Sequence, residues 1–419
     1  MKILVIGSGG RESALCWKIK QSPKCTELFC SPGNAGTINY AKNISLKDNA
    51  EILAFVEKNK IDLTVVGPEQ PLVDGIVDMF EAKGHRIFGP SAAAAQIEGS
   101  KIFSKDLMKK YGIPTAFYGS FSSSKDAMEY LNDKKFPVVI KADGLAAGKG
   151  VIIAASKNEA EKAVKEILDE KQFGDAGASI IIEEYLGGEE ASILCFADGK
   201  TIVPMESSQD HKRINDKDTG PNTGGMGAYS PAPVVTPGLM KKVQEEILRT
   251  SIDAMAKEGC YYKGVLYVGL MITKDGPKVL EYNCRFGDPE TQAVLPRLKT
   301  DLVEIIESVI DEKLSSVKIE WDKKPSVCVV MASGGYPGEY GKGFAIEGLD
   351  DAGKMKDVIV FHAGTSLAGC DTVTSGGRVL GVTALGGSIS EAIERAYAAT
   401  AKISFKDMHF RKDIGYKAL

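Results

Sequence analysis

The sequence has no uninterrupted apolar run that approaches the roughly 18 residues of a membrane-spanning helix. Its first residues, MKILVIGSGG, also lack a basic stretch followed by a long apolar core, so we expect no secretion signal. From these two absences we expect a cytoplasmic protein with no membrane partner.

Neither sign of charge is in large excess, because 52 basic and 56 acidic side chains leave a formal net charge of −4. Such a chain lacks the extended positive field that would hold a nucleic acid, so any anionic ligand must be bound locally. The 8 cysteines show no C-x-x-C pair and no zinc-like spacing. We therefore expect reduced, mostly buried thiols.

The chain has 419 residues of 43% hydrophobic composition, enough for about two to four domains. From residue 1 to about 100, short apolar runs such as KILVIG and DLTVVG alternate with helical stretches, which predicts a parallel α/β layer. An alanine-rich helix is predicted from about Ser91 to Tyr111, ending before Ile113-Pro114.

The rest of the chain reads as smaller α+β units. FPVVIKA and GVIIAAS are predicted strands, followed by a helix with the capping box Ser156-x-x-Glu159. Strands YVGLMIT and KVLEYN belong to a second unit, and a last module of strands closes with a helix capped at Ser388-x-x-Glu391. The predicted domains are 1–103, 104–190, 191–325 and 326–419.

The first glycine loop, IGSGGRESA, follows a predicted strand and opens a helix, where backbone N–H groups can bind an anion. Its nearest motif is the dinucleotide fingerprint, but Glu12 stands at the third glycine position and no ribose-binding acid follows Cys30. A structural turn is a second alternative. We favour a small phosphorylated ligand held by Gly9 and Gly10.

The second glycine loop runs from Asp143 to Gly150 and joins strand to strand. It lacks the spacing and the Ser or Thr of a P-loop. We interpret it as a flap that closes over phosphates through backbone N–H groups and Lys149, with a plain surface hairpin as the alternative. Lys141, at the end of the preceding apolar strand, either reaches solvent or faces the same anion.

Two further segments are candidates for ligand binding. The long loop that starts at Asp210 and continues through TGGMGAYSP is more typical of a substrate-binding loop than of a linker. The segment EEYLGGEE, from Glu183 to Glu190, offers an acceptor for adenine, a backbone N–H and a carboxylate for ribose. Its alternative interpretation is a solvated acidic face.

The segment EYNCRFGDPETQ ends an apolar strand in an acid, an amide and a guanidinium. Glu281 and Asn283 stand at alternate positions, so their oxygens point to one face of the strand, as magnesium coordination requires. Arg285 shares that face and could clamp a carboxylate or phosphoryl group. The alternative is a structural salt bridge between Glu281 and Arg285.

In order, GSGGRES, SPGNAGT, VGPEQPLVDGI, KADGLAAGKG, EEYLGGEEAS, QDHKR, TGGMGAYSP and RFGDPETQ resemble the phosphoribosylamine–glycine ligase family of ATP-grasp enzymes. The resemblance implies a parallel α/β N-terminal domain, an ATP-grasp fold of two α+β subdomains and a small C-terminal α+β module. It implies that ATP, glycine and 5-phosphoribosylamine give glycinamide ribonucleotide, ADP and phosphate through glycyl phosphate, in purine biosynthesis. Mg²⁺ or Mn²⁺, small-molecule substrates only, and a monomer or weak homodimer are also expected.

The resemblance also implies roles for individual residues. The expected catalytic residues are Arg285, Lys141 and Asp210; ATP is expected at Lys105, Lys141, Lys149, Glu183, Tyr185 and Glu190; the other substrates at Gly9, Gly10, Asn34, Asp210, Arg285 and Asp288; and metal at Glu281 and Asn283. Ser13 departs from the family pattern where histidine is expected, and Tyr267 stands in place of a second metal-binding acid. Rival hypotheses are an ATP-grasp ligase for another carboxylate and a nucleotide sensor without catalysis.

Overall fold

The computed structural model describes residues 1–146 and 150–419. The N-terminal part is a five-stranded sheet in the order β3-β2-β1-β4-β5, with every neighbouring pair parallel, as predicted. Its elements are β1 (Lys2–Gly7), α1 (Gly10–Ile19), β2 (Glu27–Pro32), β3 (Lys42–Asn43), α2 (Asn49–Asn59), β4 (Leu63–Val66), α3 (Glu69–Val73), α4 (Ile76–Glu81) and β5 (Ile87–Phe88).

The prediction of a single helix from Ser91 to Tyr111 is wrong. Two helices are present, α5 (Ala92–Gly99) and α6 (Lys101–Tyr111), and they are separated at Ser100, whose backbone is extended (φ −132°, ψ 115°). The Ser100 Oγ accepts a hydrogen bond from the Phe103 N–H at 3.1 Å, the usual arrangement of a serine N-cap. The extended backbone at Ser100 interrupts the helix between α5 and α6.

The next unit is a four-stranded sheet in the order β6-β9-β7-β8 with two helices. The strands FPVVIKA and GVIIAAS pair as an antiparallel hairpin, and Ser156 caps the following helix by accepting from the Glu159 N–H, both as predicted. The elements are β6 (Tyr118–Phe121), α7 (Ser124–Leu131), β7 (Val138–Ala142), β8 (Val151–Ala154), α8 (Lys157–Val164) and β9 (Ile180–Glu184).

The third unit is built on the antiparallel sheet β11-β10-β16-β17. The stretch predicted as one long loop contains four short strands, of which β13 and β14 form a hairpin. The elements are β10 (Glu189–Asp198), β11 (Ile202–Pro204), β12 (Gln209–Asp210), β13 (Arg213–Asn215), β14 (Thr219–Asn222), β15 (Gly227–Ser230), α9 (Pro237–Val243), α10 (Thr250–Lys257), β16 (Lys263–Thr273), β17 (Gly276–Asn283), α11 (Glu290–Val294) and α12 (Leu302–Ile310).

The C-terminal module is a sheet in the order β12-β15-β18-β22-β19, to which β23 adds at β18. Two of its strands, β12 and β15, come from before residue 325, so the sheet extends across the predicted domain boundary. The remaining elements are β18 (Ser326–Ser333), α13 (Leu349–Gly353), β19 (Val358–His362), β20 (Thr365–Ala368), β21 (Asp371–Thr374), β22 (Arg378–Leu385), α14 (Ile389–Thr400) and β23 (Met408–His409). Ser388 caps α14, as predicted.

The hydrophobic cores show which units are packed together. One buried cluster joins Leu4 and Phe80 of the N-terminal sheet with Ile252 and Val268 of the third unit. The unit of β6 to β9 has a separate core. Five of the eight cysteines are buried, which confirms that expectation. No helix among the described residues has the length and apolarity to cross a membrane.

Candidate active site

A cavity of about 1000 Å³ lies where the four units meet. It is lined by ten of the residues predicted for the site, which come from all parts of the chain between α6 and α11. These are Lys105, Lys141, Glu183, Tyr185, Glu190, Asp210, Glu281, Asn283, Arg285 and Asp288. Gly9, Gly10 and Asn34 do not line it. Lys149 and the centre of the predicted flap lie outside the described residues.

Two lysines that are predicted to bind ATP share one buried carboxylate. The Lys105 Nζ lies 3.0 Å from Glu183 Oε1, and the Lys141 Nζ lies 2.9 Å from Glu183 Oε2. Burial lowers the pKa of Lys105 to about 8. Although burial opposes it, Lys141 and Lys105 together hold the pKa of Glu183 below its usual range. Both Glu183 oxygens therefore face lysines, so this acid orients the cations rather than offering a free acceptor to adenine.

The predicted metal ligands lie at the end of β17. Glu281 is opposite Gly269 and Asn283 is opposite Tyr267 in the antiparallel pairing with β16. Although partial burial opposes it, Lys212 and Lys141 hold the pKa of Glu281 below the usual range, so it is ionised as a metal ligand must be. The described residues contain no group of three or more acid, histidine or cysteine side chains that could enclose a metal. One carboxylate and one amide fit Mg²⁺, which usually takes further oxygens from substrate phosphates.

Tyr267 forms a hydrogen bond with Glu290, an acid to which the sequence analysis assigned no role. Its hydroxyl donates to Glu290 Oε1 at 2.9 Å and lies 2.8 Å from Ser192 Oγ. Burial raises the pKa values of Glu290 and of Asp210. Both acids line the same wall of the cavity, where they can accept hydrogen bonds from an ammonium group. The signal was present in the motif RFGDPETQ, of which only Arg285 and Asp288 had been assigned roles.

Lys212 also had no assigned role, and its positive charge lies beside two acids of the cavity wall. Its Nζ lies 2.9 Å from Glu190 Oε2 and 3.8 Å from Glu281 Oε1. Against the effect of burial, Glu190 and Asp210 raise the pKa of Lys212 well above its usual value. The long loop that starts at Asp210 therefore brings both an acid and a cation to the cavity.

Arg285 is held by two acids of the N-terminal part. Its Nε lies 3.1 Å from Glu69 Oε2 and its Nη2 lies 2.8 Å from Glu98 Oε1, and Glu98 also accepts from the Cys284 N–H. The alternative of a salt bridge between Glu281 and Arg285 is wrong. The guanidinium instead stands fixed at the cavity wall, and sequence reasoning missed the two acids that fix it.

The first glycine loop has an internal role. The Gly9 N–H donates to Glu12 Oε2 at 2.6 Å, and the Arg11 N–H donates to Asp288 Oδ2 at 3.3 Å. A protein carboxylate thus accepts from one of the two N–H groups that the phosphate hypothesis assigned to a ligand. The assignment of a phosphorylated ligand to Gly9 and Gly10 stays a prediction.

Asn34 and Ser13 join the N-terminal part to the C-terminal module. The Asn34 Nδ2 donates to the carbonyl oxygens of Ser8 and His362, at 2.8 and 2.9 Å. The Ser13 Oγ accepts from the His362 N–H at 3.2 Å. The prediction that Asn34 contacts substrate stays a prediction, and Ser13, where the resemblance implied histidine, binds the backbone of His362.

Comparison with known proteins matches most of the chain to models of one family. The N domain, the ATP-grasp (A) domain and the C domain of phosphoribosylglycinamide synthetase match residues 1–98, 99–291 and 326–417. The chain belongs to this family. The expected fold class, a parallel α/β domain with an ATP-grasp fold and a C-terminal module, is thereby confirmed.

Individual members of the phosphoribosylglycinamide synthetase family match over the full length. Phosphoribosylamine–glycine ligase of Vibrio parahaemolyticus is 53% identical over 424 residues, covering 100% of this chain and 99% of that protein. The Escherichia coli O157:H7 protein of that name is 54% identical, with the same coverage. The Thermotoga maritima structure of that name has a TM-score of 0.85 at 34% identity, covering 99% of this chain and 100% of the other.

Proposed function

We propose that this chain is an ATP-dependent ligase that joins glycine to 5-phosphoribosylamine, giving glycinamide ribonucleotide, ADP and phosphate in purine biosynthesis. The observation that carries the proposal is the convergence of Lys105, Lys141, Glu281, Asn283 and Arg285 on one cavity. The relatives that match over the full length carry the name of this activity.

The reaction needs an activated carboxylate, because an amine cannot displace an oxygen from a free carboxylate. In the first step a glycine carboxylate oxygen attacks the γ-phosphorus of ATP, and the bond to the ADP oxygen breaks. In the second step the phosphoribosylamine nitrogen attacks the glycyl carbonyl carbon, phosphate leaves and the nitrogen loses a proton. This chain's residues contribute mainly by positioning and by charge stabilisation.

Each wall of the cavity has a role in this scheme. Lys105 and Lys141, oriented by Glu183, would bind the phosphate chain of ATP. Arg285 would orient the glycine carboxylate, and Asp210 and Glu290 would accept hydrogen bonds from its ammonium group. ATP-grasp enzymes generally use a divalent metal; Glu281 and Asn283 would hold Mg²⁺ or Mn²⁺, which when bound supplies charge neutralisation at the phosphates.

The test uses glycine labelled with ¹⁸O in its carboxylate, together with ATP, Mg²⁺ and enzymatically generated phosphoribosylamine. Through glycyl phosphate, one labelled oxygen is expected in the released phosphate and one in the amide product. Unlabelled phosphate would contradict the intermediate. ADP release that depends equally on other amino acids would contradict the substrate.

The metal assignment is tested with Glu281→Gln combined with Asn283→Ala. We expect loss of turnover with an unchanged melting temperature, because both residues lie at a strand end and contribute little core volume. Near-normal activity at saturating Mg²⁺ would contradict the assignment, and repeating the titration with Mn²⁺ would define the preferred ion.

We further propose a cytoplasmic enzyme that acts on small molecules as a monomer or weak homodimer. The domain bounds 1–103, 104–190, 191–325 and 326–419 remain part of this proposal. Sedimentation of the purified chain over a range of concentrations would test the oligomeric state.

A further inference from the structure

Arg378 reaches the cavity from the C-terminal module. It begins β22, its side chain is 21% exposed, and it lines the cavity together with Asp288. The sequence analysis assigned it no role, and it has none in the proposed reaction. A cation that is mostly withdrawn from water requires partners for its charge and its N–H groups.

The partners of Arg378 lie in two other segments of the chain. Its Nη1 donates to the carbonyl oxygens of Gly224 and Gly225, in the loop of residues 223–226 between β14 and β15. The same nitrogen donates to the Asp288 carbonyl oxygen at 2.8 Å and lies 3.3 Å from Asp288 Oδ1. Although burial opposes it, Arg378 and Arg11 hold the pKa of Asp288 below its usual range. One guanidinium group therefore ties an ionised acid of the cavity to the β14–β15 loop.

The β14–β15 loop has a backbone that permits this contact. A side chain at Gly224 would begin 3.0 Å from the guanidinium carbon of Arg378, and Gly225 has φ +108°, which favours glycine. The Gly224 N–H also donates to the Tyr336 hydroxyl at 3.0 Å. Tyr336 follows β18 and is not among the described residues that line the cavity. Two side chains of the C-terminal module, one at the cavity and one outside it, thus hold the same loop.

The β14–β15 loop in turn contacts the cavity wall. Its Thr223 and Gly224 line the cavity. The Thr223 hydroxyl donates to the Lys212 carbonyl oxygen at 2.8 Å, and the Lys212 ammonium group pairs with Glu190. A displaced loop would therefore disturb Lys212 and, through the shared arginine, Asp288.

We propose that Arg378 is a positioning residue for the ribonucleotide substrate, acting through Asp288 and the β14–β15 loop. The proposal rests on the proposed function, in which ATP and glycine have partners elsewhere in the cavity and this wall is left to phosphoribosylamine. It assigns no contact between Arg378 and a ligand. The competing explanations are direct binding of the substrate by Arg378 and a role in folding alone.

The test measures the reverse reaction, in which glycinamide ribonucleotide, ADP and phosphate with Mg²⁺ give ATP, glycine and phosphoribosylamine. We expect Arg378→Met to raise the KM for glycinamide ribonucleotide about tenfold, the scale of one charged hydrogen bond. Tyr336→Phe removes one neutral hydrogen bond from the same loop and should raise this KM about threefold. The KM for ADP should stay within about twofold in both variants. Arg395→Met, which removes an arginine of 22% exposure from the same module, is the matched control and should leave both KM values unchanged.

Three results would overturn the proposal. The first is an unchanged KM for glycinamide ribonucleotide in folded Arg378→Met. The second is a raised KM in Arg378→Met with an unchanged KM in Tyr336→Phe, which indicates that Arg378 binds the substrate directly. The third is an equal loss with every substrate together with a lower melting temperature, which indicates a role in folding alone.

Should Arg378→Met fail to fold, the KM of Tyr336→Phe for glycinamide ribonucleotide decides alone: a rise supports the proposal, and no change overturns it. If the unchanged protein formed no ATP in this assay, the proposed function itself would fail, which separates the two failures.

Discussion

At the scale of single residues, the surroundings of Arg285 show how a cation is fixed before its ligand binds. Glu98 is almost fully buried, and it accepts from both the Arg285 guanidinium and the Cys284 N–H. Glu69 accepts a hydrogen bond from the Nε of the same guanidinium group. The long side chain of Arg285 therefore loses little conformational freedom when a carboxylate binds.

We expect Glu98→Gln to raise the KM for glycine by about tenfold, because the amide cannot hold the guanidinium as a carboxylate does. The KM for ATP should change far less, since Lys105 and Lys141 have a separate support. Steady-state kinetics with each substrate varied in turn would check this. Glu81→Gln, exposed on α4, is the control; an unchanged glycine KM in Glu98→Gln would contradict the positioning role.

His362 is a second residue whose burial has a measurable consequence. Burial lowers its pKa to about 4, whereas an unfolded histidine titrates near about 6.5. The unfolded chain therefore binds the proton more readily, and stability is lost as the pH falls through this window. Between about pH 7.5 and about pH 5 this group alone should lower the free energy of unfolding by up to about 2 kcal/mol.

The check is urea unfolding of His362→Gln at both pH values. Part of the acid sensitivity should disappear in this variant, whatever its stability at neutral pH. His85→Gln, which changes a partly exposed histidine, is the control. Identical slopes for His362→Gln and the unchanged protein would show that folding does not lower the pKa of His362.

At the scale of elements, the break between α5 and α6 has a local cause and a distant one. Ser100 caps α6, and the Asp143 carboxylate accepts from both the Ser100 hydroxyl and the Ile102 N–H, at 3.1 and 2.8 Å. An acid at a helix N-terminus is also favoured by the helix dipole. Asp143 follows β7, so this contact fixes α6, with its lysines, relative to the strand that bears Lys141.

We expect Asp143→Ala to destabilise the protein by about 1 to 2 kcal/mol, the usual effect of removing a helix cap. Its ATP affinity should fall as well, because α6 and β7 carry lysines that face the same ligand. Chemical denaturation and calorimetry would measure the two effects. Asp133→Ala, an exposed turn position in the same unit, should show neither.

At the scale of the whole molecule, the C-terminal segment 411–417 packs against the loop that starts at Asp210. Arg411 is fully buried; it donates to Asp413 and to Asp218. The Gly415 N–H donates to His211 Nε2 at 3.0 Å. The ring of His211 with Lys417 and Arg411 holds the pKa of Asp218 far below its usual range. The last residues of the chain thus support residues on either side of His211 that face the cavity.

Arg411→Met should cost about 3 kcal/mol or more, because it leaves the partner carboxylates without their buried cation. It should also lower turnover, because the loop carrying Asp210 and Lys212 loses a support. Arg395→Met removes a more exposed ion pair of the same module and should cost less than about 1 kcal/mol. Equal stabilities of the two variants would contradict the role of the segment.

The sequence by itself determined the local structure and most of the cavity. Parallel α/β alternation, the caps at Ser156 and Ser388 and the lysine ending β7 follow from patterns a few residues long. So do the alternate oxygens of Glu281 and Asn283, because strand geometry places them on one face. These features need only near neighbours in the chain.

Only the tertiary structure decided which partner each charge meets. Arg285 lies 216 and 187 residues from Glu69 and Glu98 in the chain, so no local pattern could separate their ion pairs from one with Glu281. Likewise the Arg11 N–H of the first glycine loop donates to Asp288, which lies 277 residues away in the chain. β12 and β15 belong to the same sheet as strands that follow residue 325. This pairing depends on which strand edges folding brings together. Ion pairs and strand pairs between distant parts of the chain are determined by tertiary packing, and the spacing of residues in the sequence does not predict them.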